Sequence, residues 1–385
     1  MKINKKVKDL SPSGIRAFFD LVIGMKDVIS LGVGEPDFDT PWRISESAIF
    51  SVEKGYTTYT SNKGLQELRE QISRYLKPRL KTSYDPNDEI LITVGVSEAM
   101  DLAMRALSVS DCKALIHEPC YVSYYPTAYL AGLDPVYLAT TAQTAFKVTP
   151  KQLAETKTSS GDIFLLNYPC NPTGASYNRD ELVELARVIE KKDLFVISDE
   201  IYGDYMTYDG DHVPFPSLPG MRQRTLYLNG FSKAYAMTGW RIGYAAGPRE
   251  VIAAMTKIHQ YTILCAPIMG QMAALEALRC DKEAKSMRAE YNRRRKYIVT
   301  ELNKLGLDCL MPQGAFYAFA SIQSTGMDSV EFAHKLLEEE KVAVVPGTAF
   351  GPSGAGYIRM SYATGISDIK EALSRIGKFL KKHCA

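Results

Sequence analysis

The sequence predicts an α/β fold, with a mostly parallel β-sheet in a large lobe and a second, smaller α/β lobe. The chain has 385 residues, more than one hydrophobic core usually carries, so two lobes are expected. Before residue 248, short apolar runs alternate with helix-like runs, which is typical of a parallel sheet covered by helices on both faces. Helical spacing then dominates, and short strands return after residue 308.

The predicted strands of the large lobe are apolar runs of a few residues each. They lie at residues 90–95, 114–117, 136–138, 163–167, 194–198, 225–228 and 242–246. Helices are predicted at residues 65–80, from residue 96 onward and at 179–192. The segments 29–38 and 55–64 are predicted loops, the first from its glycines and proline and the second from its hydroxyl-rich composition.

The chain after Pro248 predicts the smaller lobe, and residues 11–14 give a helix-start signal near the beginning. Predicted helices lie at 250–260, 269–279, 282–305 and 367–381, and predicted strands at 315–319, 342–345 and 357–362. Within the basic run 282–305, Arg293, Arg294 and Arg295 are expected to lie on a solvated face.

Composition excludes several classes of protein. Net charge is +2, with 46% hydrophobic and 23% charged residues, so nothing indicates binding to nucleic acid or to a membrane surface. The seven cysteines and five histidines are scattered, which predicts neither a disulfide framework nor a metal site. The first ten residues lack a secretory apolar run, and no apolar stretch approaches the ~20 residues that span a bilayer. A reducing cytoplasm is the expected location.

The most informative stretch is residues 229–244, which joins two predicted strands and contains Lys233 and Arg241. A lysine among apolar neighbours loses proton affinity and becomes a nucleophile, able to form Schiff bases with carbonyls such as the aldehyde of pyridoxal phosphate. A nearby arginine would give that cofactor's phosphate a bidentate anchor. Taken alone, the pair fits a solvated lysine and a surface arginine better.

Polar residues follow the ends of several other predicted strands, where ligands of parallel sheets bind. Gly95 separates a strand from a helix start, which is a natural anion site but would also suit a nucleotide. Asp199 closes a buried strand, which is costly unless it meets a cation such as a protonated pyridine nitrogen. Asn171 and Tyr202 could reach the phenolic oxygen of the same ring, and Tyr121 could stack on it. A turn asparagine, a helix-capping aspartate and core tyrosines are the alternatives.

Taken together, these motifs resemble the class I aminotransferases, a pyridoxal-phosphate-dependent group of fold type I. They occur in the family's order and extend over nearly the whole chain. The motifs are Gly34-Glu35-Pro36-Asp37-Phe38, Tyr59, Gly95-Val96-Ser97-Glu98-Ala99, Tyr121, Asn171-Pro172-Thr173-Gly174, Asp199-Glu200-Ile201-Tyr202, Ser232-Lys233 with Thr238-Gly239-Trp240-Arg241-Ile242-Gly243-Tyr244, and Tyr357-Ile358-Arg359.

The resemblance implies a set of contacts to the cofactor ring. Lys233 would be the Schiff-base lysine and the proton shuttle, and Asp199 would pair with the ring nitrogen. Tyr202 and Asn171 would contact the phenolic oxygen, and Tyr121 would stack on the ring. The implied catalytic residues are Lys233, Asp199 and Tyr202.

The resemblance also implies phosphate, substrate and subunit contacts. The phosphate would be held by Arg241, Ser232 and the amides of Val96 and Ser97. Arg359 would take the substrate α-carboxylate, helped by Asn171 and the Gly34 backbone. Tyr59 would reach the phosphate in the neighbouring subunit of a homodimer. The implied large domain is 46–280, and the small domain combines 1–45 with 281–385.

The implied reaction moves the amino group of an L-amino acid to a 2-oxo acid, with 2-oxoglutarate as the expected acceptor. Ser97 stands where aspartate-specific relatives often carry lysine, which disfavours a strict aspartate enzyme. Aromatic residues at Phe18, Phe19, Tyr56 and Tyr261 favour aromatic or broad neutral donors.

Three other functions compete with this interpretation. A β C–S lyase of the same fold would use the same motifs. The effector domain of a transcription regulator would need a DNA-binding segment, for which the ~30 residues before the first motif leave no room. A nucleotide-binding enzyme would leave Lys233, Asp199 and Arg359 unexplained.

Overall fold

The structure, a computed structural model, describes residues 2–12, 14 and 25–383 of the chain. Its strands, in chain order, are β1 (Ile29–Ser30), β2 (Ile90–Thr93), β3 (Lys113–Glu118), β4 (Asp134–Ala139), β5 (Ile163–Asn167), β6 (Phe195–Asp199), β7 (Thr225–Gly230), β8 (Gly243–Ala246), β9 (Tyr317–Ser321), β10 (Val342–Ala343), β11 (Val345–Pro346) and β12 (Tyr357–Ser361). The predicted helix start at 11–14 includes residue 13, which lies outside the described residues.

The helices, in chain order, are α1 (Lys5–Asp9), α2 (Trp42–Glu53), α3 (Gln66–Leu80), α4 (Gly95–Leu107), α5 (Tyr124–Ala131), α6 (Pro150–Glu155), α7 (Arg179–Lys191), α8 (Gly203–Met206), α9 (Arg249–Thr262), α10 (Ile268–Ala277), α11 (Asp281–Lys304), α12 (Ser329–Glu340) and α13 (Ile366–His383). Short 3-10 turns lie at Ala142–Thr144, Phe215–Ser217, Arg222–Arg224, Gln323–Thr325, Gly347–Phe350 and Pro352–Gly354. In the part of the chain that is described, we find no helix with the length and apolar character needed to cross a bilayer.

A seven-stranded sheet of order β2-β8-β7-β6-β5-β3-β4 forms the centre of the fold. Its neighbouring strands are parallel except for the two pairs that β8 makes with β2 and β7. Strands β5 and β6 are buried almost along their whole lengths, as expected for apolar strands covered on both faces. The prediction of a mostly parallel sheet is therefore confirmed.

The register of this sheet aligns the ends of three strands. Asp199, the last residue of β6, pairs with Asn167 at the end of β5 and with Leu228 in β7. The segments that follow these strands leave the sheet at the same edge, where ligands of parallel sheets bind. This edge therefore brings together the segments that carry Asn171, Asp199 and Lys233.

The C-terminal part of the chain builds two smaller sheets. Strands β11, β12 and β9 form an antiparallel sheet, and β1 pairs in parallel with β10. Strand β1 is a two-residue strand at the start of the segment predicted as a loop. The core beside these sheets includes Tyr291, Ile298, Phe316, Phe332, Ile358 and Phe379. The division into residues 46–280 and residues 1–45 with 281–385 stays a prediction.

The sequence did not predict three of the longer helices, α2, α5 and α12. Helix α2 exposes large apolar side chains, among them Trp42 and Phe50, beside charged ones, so its outer side lacks the uniformly polar character that marks a surface helix. Helix α5 is apolar and contains Pro126. Helix α12 does carry a start signal, because the Asp328 side chain accepts a hydrogen bond from the Val330 N–H at 2.8 Å.

The three consecutive arginines of α11 do not share one solvated face. Arg293 is exposed, as predicted, and pairs with Glu290. Arg294 is buried and donates from Nη1 to both carboxylate oxygens of Asp37 at 2.8 Å. Arg295 is also buried and is held by Asp209. The predicted solvated face is therefore wrong for Arg294 and Arg295, because each reaches a carboxylate on another segment.

Candidate active site

Lys233 lies in the turn between β7 and β8, at the edge of the central sheet. Its Nζ donates a hydrogen bond to the Gly34 carbonyl oxygen at 2.8 Å and lies 6.0 Å from the ring centroid of Tyr202 and 5.8 Å from that of Phe316. Burial lowers the pKa of Lys233 from 10.5 to about 8, although Glu35 opposes the shift. The amine is thus prepared to act as a nucleophile near neutral pH.

Asp199 stands at the end of β6 with its side chain buried. Its Oδ2 accepts a hydrogen bond from the Tyr124 hydroxyl at 2.8 Å, and its Oδ1 accepts one from the Ile201 N–H at 3.2 Å. Burial raises the pKa of Asp199 to about 6, and the hydrogen bond from Tyr124 opposes that rise. A buried carboxylate of this kind is stabilised by a cation brought to it.

Tyr202 follows Asp199 after a short turn and is also buried. Its hydroxyl forms a hydrogen bond of 2.8 Å with the hydroxyl of Tyr317 in β9. The Tyr317 hydroxyl also donates to the Gly34 carbonyl oxygen at 3.4 Å. The same carbonyl therefore links Tyr317 with Lys233, so three segments distant in sequence meet at the amine.

Arg359, in β12, is a buried cation whose guanidinium is only partly satisfied. Its Nη1 donates to Asn171 Oδ1 at 2.9 Å, and its Nη2 donates to the Gly32 carbonyl oxygen. Aromatic rings of Tyr317 and Phe350 flank the guanidinium at 4.5 and 4.8 Å. Its Nε has no partner, and no carboxylate of the described residues hydrogen-bonds to it. A buried guanidinium with free donors favours a carboxylate ligand.

The N-terminus of α4 forms a closely packed cradle. Gly95 has φ +73°, and a Cβ there would lie 2.7 Å from Nη2 of Arg241. A Cβ on Gly243 would lie 2.6 Å from the Val96 nitrogen. The first N–H groups of a helix have no partner within the helix, so Val96 and Ser97 present donors beside the Arg241 guanidinium. This arrangement suits a phosphate.

Glu98 fixes the turn that leads into this cradle. Its Oε2 accepts a hydrogen bond from the Val94 N–H at 2.5 Å, and its Oε1 lies 2.7 Å from Nδ1 of the buried His259. The carboxylate of Glu98, the fourth residue of α4, thus caps the start of the helix. The contact with the buried His259 ring holds the Glu98 carboxylate in place beneath the turn.

The remaining predicted site residues differ in their placement. Ser232 is buried beside Lys233, and Tyr121 packs edge-on against Tyr124 with ring centroids 5.6 Å apart. Tyr59 does not join the group within one chain, because its side chain is 82% exposed. Among the aromatic residues taken to indicate the donor, Tyr56 and Tyr261 are exposed. Phe18 and Phe19 lie outside the described residues.

Sequence reasoning missed Tyr124, Tyr317, Glu98 and His259. Tyr124 and Tyr317 lie in aromatic runs that equally fit a hydrophobic core, so their hydroxyl partners gave no signal. The sequence did give a signal for Glu98, because a glutamate in the first turn of a helix that follows a glycine is typical of a helix cap. Within residues 2–12, 14 and 25–383, no group of three or more His, Cys, Asp or Glu side chains could hold a metal ion.

Comparison with known proteins identifies the family of this chain. The sequence model for "Aminotransferase class I and II" matches residues 26–376. The chain belongs to this family. The predicted fold type I and the predicted activity class, a pyridoxal-phosphate-dependent aminotransferase, are both confirmed.

Related class I and II aminotransferases align with nearly the whole chain. The putative aminotransferase YugH of Bacillus subtilis is 51% identical over 98% of this chain and 97% of its own length. An aspartate aminotransferase of Pyrococcus abyssi is 43% identical over 99% of both chains. The aromatic-amino-acid aminotransferase 2 of Thermococcus litoralis is 40% identical, also over 99% of both.

Solved structures of class I and II aminotransferases share the fold. The aspartate aminotransferase of Thermus thermophilus with maleate superposes with a TM-score of 0.92 at 34% identity, covering 98% of this chain and 99% of its own. The aromatic aminotransferase of Pyrococcus horikoshii gives 0.90 at 41% identity, covering 96% and 99%. Relatives named for aspartate and for aromatic substrates thus resemble the chain equally well.

Proposed function

We propose that this aminotransferase moves the amino group of an L-amino acid to 2-oxoglutarate by a ping-pong reaction, with pyridoxal phosphate attached to Lys233. The observation that carries the proposal is the Lys233 amine, whose pKa is lowered to about 8 beside a carbonyl shared with Tyr317. Aromatic or broad neutral amino donors are proposed over strict aspartate use, because Ser97 supplies no cation for a side-chain carboxylate.

The residues fit this cofactor at both of its ends. Arg241, Ser232 and the Val96 and Ser97 amides would hold the phosphate at the helix N-terminus. Asp199 would hold the ring nitrogen in its protonated form, and Tyr202 and Asn171 would contact the phenolic oxygen while Tyr121 stacks on the ring. When bound, the cofactor supplies an electron sink for the bond that breaks at the substrate α-carbon.

Lys233 moves the proton in this proposal. In its neutral form the Nζ can take the proton from the substrate α-carbon, which is general-base catalysis by a lysine with a lowered pKa. The Gly34 carbonyl oxygen and the flanking rings of Tyr202 and Phe316 restrict where the amine can lie. Lys233 is partly buried in this position, so its amine is only partly open to solvent.

Arg359 is proposed to bind the α-carboxylate that every amino donor shares. The guanidinium already has Asn171 Oδ1 on one side, and its Nε is free to donate. Gly34 lies close to the same place, because a Cβ there would be 2.5 Å from the Tyr317 hydroxyl oxygen. A backbone segment without a side chain at Gly34 would thus leave room for the substrate beside Tyr317.

A homodimer is proposed in which Tyr59 reaches the phosphate of the neighbouring subunit. Large apolar side chains that stay exposed in two stretches of the chain support it: Trp42, Ile49, Phe50, Val52, Tyr56 and Tyr59 in the first, and Tyr261, Ile263, Leu264 and Met269 in the second. Apolar side chains of this kind would be buried if the two stretches formed part of a subunit interface. The two-domain division at residues 45 and 280 is part of the same proposal.

A cytoplasmic location is proposed together with this activity. The described cysteines Cys112, Cys120, Cys170, Cys265, Cys280 and Cys309 are free thiols, as expected in a reducing compartment.

A panel of amino donors tested with 2-oxoglutarate is the direct test of the proposed function. We expect keto-acid product with aromatic and neutral donors, and no half-reaction in Lys233→Ala. Unchanged turnover in that variant would overturn the role of Lys233. The β C–S lyase alternative is not favoured by relatives named as aminotransferases. Pyruvate and sulfide from cysteine without any acceptor, and without transfer, would reverse that judgement.

A further inference from the structure

We propose that Tyr124 is a positioning residue, whose hydroxyl holds the Asp199 carboxylate ionised and turned toward the cofactor ring nitrogen. The inference rests on the proposed function, in which Asp199 pairs with that nitrogen. Tyr124 begins helix α5 and lies 75 positions before Asp199 in the chain. No motif connects the two residues, and only the fold brings them together.

The hydrogen bonds fix the orientation of the carboxylate. The Tyr124 hydroxyl donates to Oδ2 at 2.8 Å, and the Ile201 N–H donates to Oδ1 at 3.2 Å. Each oxygen thus has one donor, and an ionised carboxylate has about four acceptor sites, so each can accept one more. Because both side chains are buried, water does not replace either donor easily.

The hydroxyl also favours the charged form of Asp199. Lys233 acts on the carboxylate from nearby, but its Nζ donates to the Gly34 carbonyl instead. Burial alone favours the neutral acid, and the Tyr124 hydrogen bond favours the ionised form. Without the hydroxyl, the carboxyl would be protonated in a larger fraction of molecules at neutral pH. A protonated carboxyl cannot balance a positive ring nitrogen.

The Tyr124 ring makes a contact of its own, so the role of the ring can be tested separately from that of the hydroxyl. It packs edge-on against Tyr121, with ring planes at 78°. A Tyr124→Phe variant keeps this ring contact and loses only the hydroxyl. Tyr125 provides a matched control, because its ring stacks on Tyr129 and Tyr137 instead.

The test compares binding of two ligands to the apoproteins. One ligand is pyridoxal phosphate, and the other is its carbocyclic analogue, in which C–H replaces the ring nitrogen. We expect Tyr124→Phe to weaken binding of pyridoxal phosphate by about 10-fold or more, the usual loss for a hydrogen bond to a charged group. Binding of the analogue should stay within about 2-fold, since it has no nitrogen for Asp199 to hold. Tyr125→Phe should bind both as wild type.

Three outcomes would contradict the inference in distinguishable ways. Equal weakening of both ligands would mean that Tyr124 only supports the shape of the pocket. Unchanged binding of both would mean that its hydroxyl has no role. A wild-type protein that binds the two ligands equally well would overturn the pairing of Asp199 with the ring nitrogen, and the role of Tyr124 with it. Thermal unfolding of each apoprotein verifies that the variants are folded.

Discussion

The guanidinium of Arg359 donates to the side-chain oxygen of Asn171 at 2.9 Å, although 188 positions separate the two residues. The contact joins strand β12 to the turn after β5 and places both side chains at the same edge of the central sheet. Neither residue brings an anion to the other, so the positive charge remains available to a ligand.

Replacement of Arg359 by lysine should raise KM for every amino donor. Lysine keeps the charge but loses the planar pair of donors that matches a carboxylate. We expect kcat/KM to fall by at least about 30-fold with neutral and acidic donors alike, the scale seen when a buried charged contact is lost. Steady-state kinetics with a neutral and a dicarboxylic donor measure both effects.

Arg293→Lys is the matched control for this replacement, because Arg293 is exposed and pairs only with Glu290. Its kinetics should equal those of wild type. A loss restricted to dicarboxylic donors in Arg359→Lys would show that Arg359 binds the side chain of the substrate rather than its α-carboxylate.

Attachment of pyridoxal phosphate to the apoprotein should become faster as pH rises through about 8, the pKa of Lys233. Only the neutral amine attacks an aldehyde, and burial favours the neutral form. Glu35 acts in the opposite direction, so Glu35→Gln should move the midpoint below that of wild type. Stopped-flow absorbance across pH gives both midpoints.

A midpoint near the ordinary lysine value of 10.5 would contradict a buried, activated amine. A midpoint that rises in Glu35→Gln would contradict the electrostatic role assigned to Glu35.

Mixed dimers should reveal whether Tyr59 acts on the neighbouring subunit. Tyr59→Phe should weaken pyridoxal phosphate binding by about 10-fold, because a hydrogen bond to a charged phosphate is lost. When that variant is reassembled with Lys233→Ala, one site of each mixed dimer receives an intact Tyr59 from the other subunit. Activity at limiting cofactor should therefore recover above that of either variant alone.

An absence of recovery, with dimers verified by light scattering, would place Tyr59 in its own subunit's site or outside any site. A monomeric wild-type protein would contradict the proposed dimer itself.

The ion pair between Arg294 and Asp37 should contribute to stability. Arg294→Met removes the Nη1 donor that reaches both oxygens of Asp37, a carboxylate that is only 26% exposed, and also the contact of the Arg294 Nε with Glu290. We expect the free energy of unfolding to fall by about 2 kcal/mol, below the loss for a fully buried pair. Urea denaturation of the apoprotein measures the change.

Arg293→Met, on the same turn of α11, should change the free energy of unfolding by less than about 0.5 kcal/mol, as expected for an exposed pair. Equal effects of the two substitutions would mean that the Asp37 contact adds nothing beyond a surface ion pair.

The sequence predicted the residues at strand ends better than it predicted their partners. A polar residue after a buried apolar run is a local signal, which is why Asp199, Asn171 and Lys233 could be recognised. The partners of these residues come from distant segments. Tyr124 pairs with Asp199 across 75 positions, and Tyr317 meets Tyr202 across 115. Local patterning carries no information on such pairs.

The helical spacing of α11 could have predicted that Arg294 is buried. Tyr291, Arg294, Ile298 and Leu302 are spaced at three and four residues and all are buried, so they share one stripe of the helix. The spacing therefore predicts that Arg294 lies on the core side of the helix, whereas its charge alone would predict an exposed position. Helix α2 shows the opposite case, since exposed apolar residues such as Trp42 and Phe50 stand among its exposed charged residues and obscure the amphipathic pattern.

The unpaired guanidinium at the substrate end also affects how this enzyme should be assayed. Small organic acids in common buffers, such as acetate, citrate or succinate, carry a carboxylate, the group that Arg359 is proposed to bind. We therefore expect them to compete with amino donors, so that Michaelis constants measured in those buffers increase with buffer concentration.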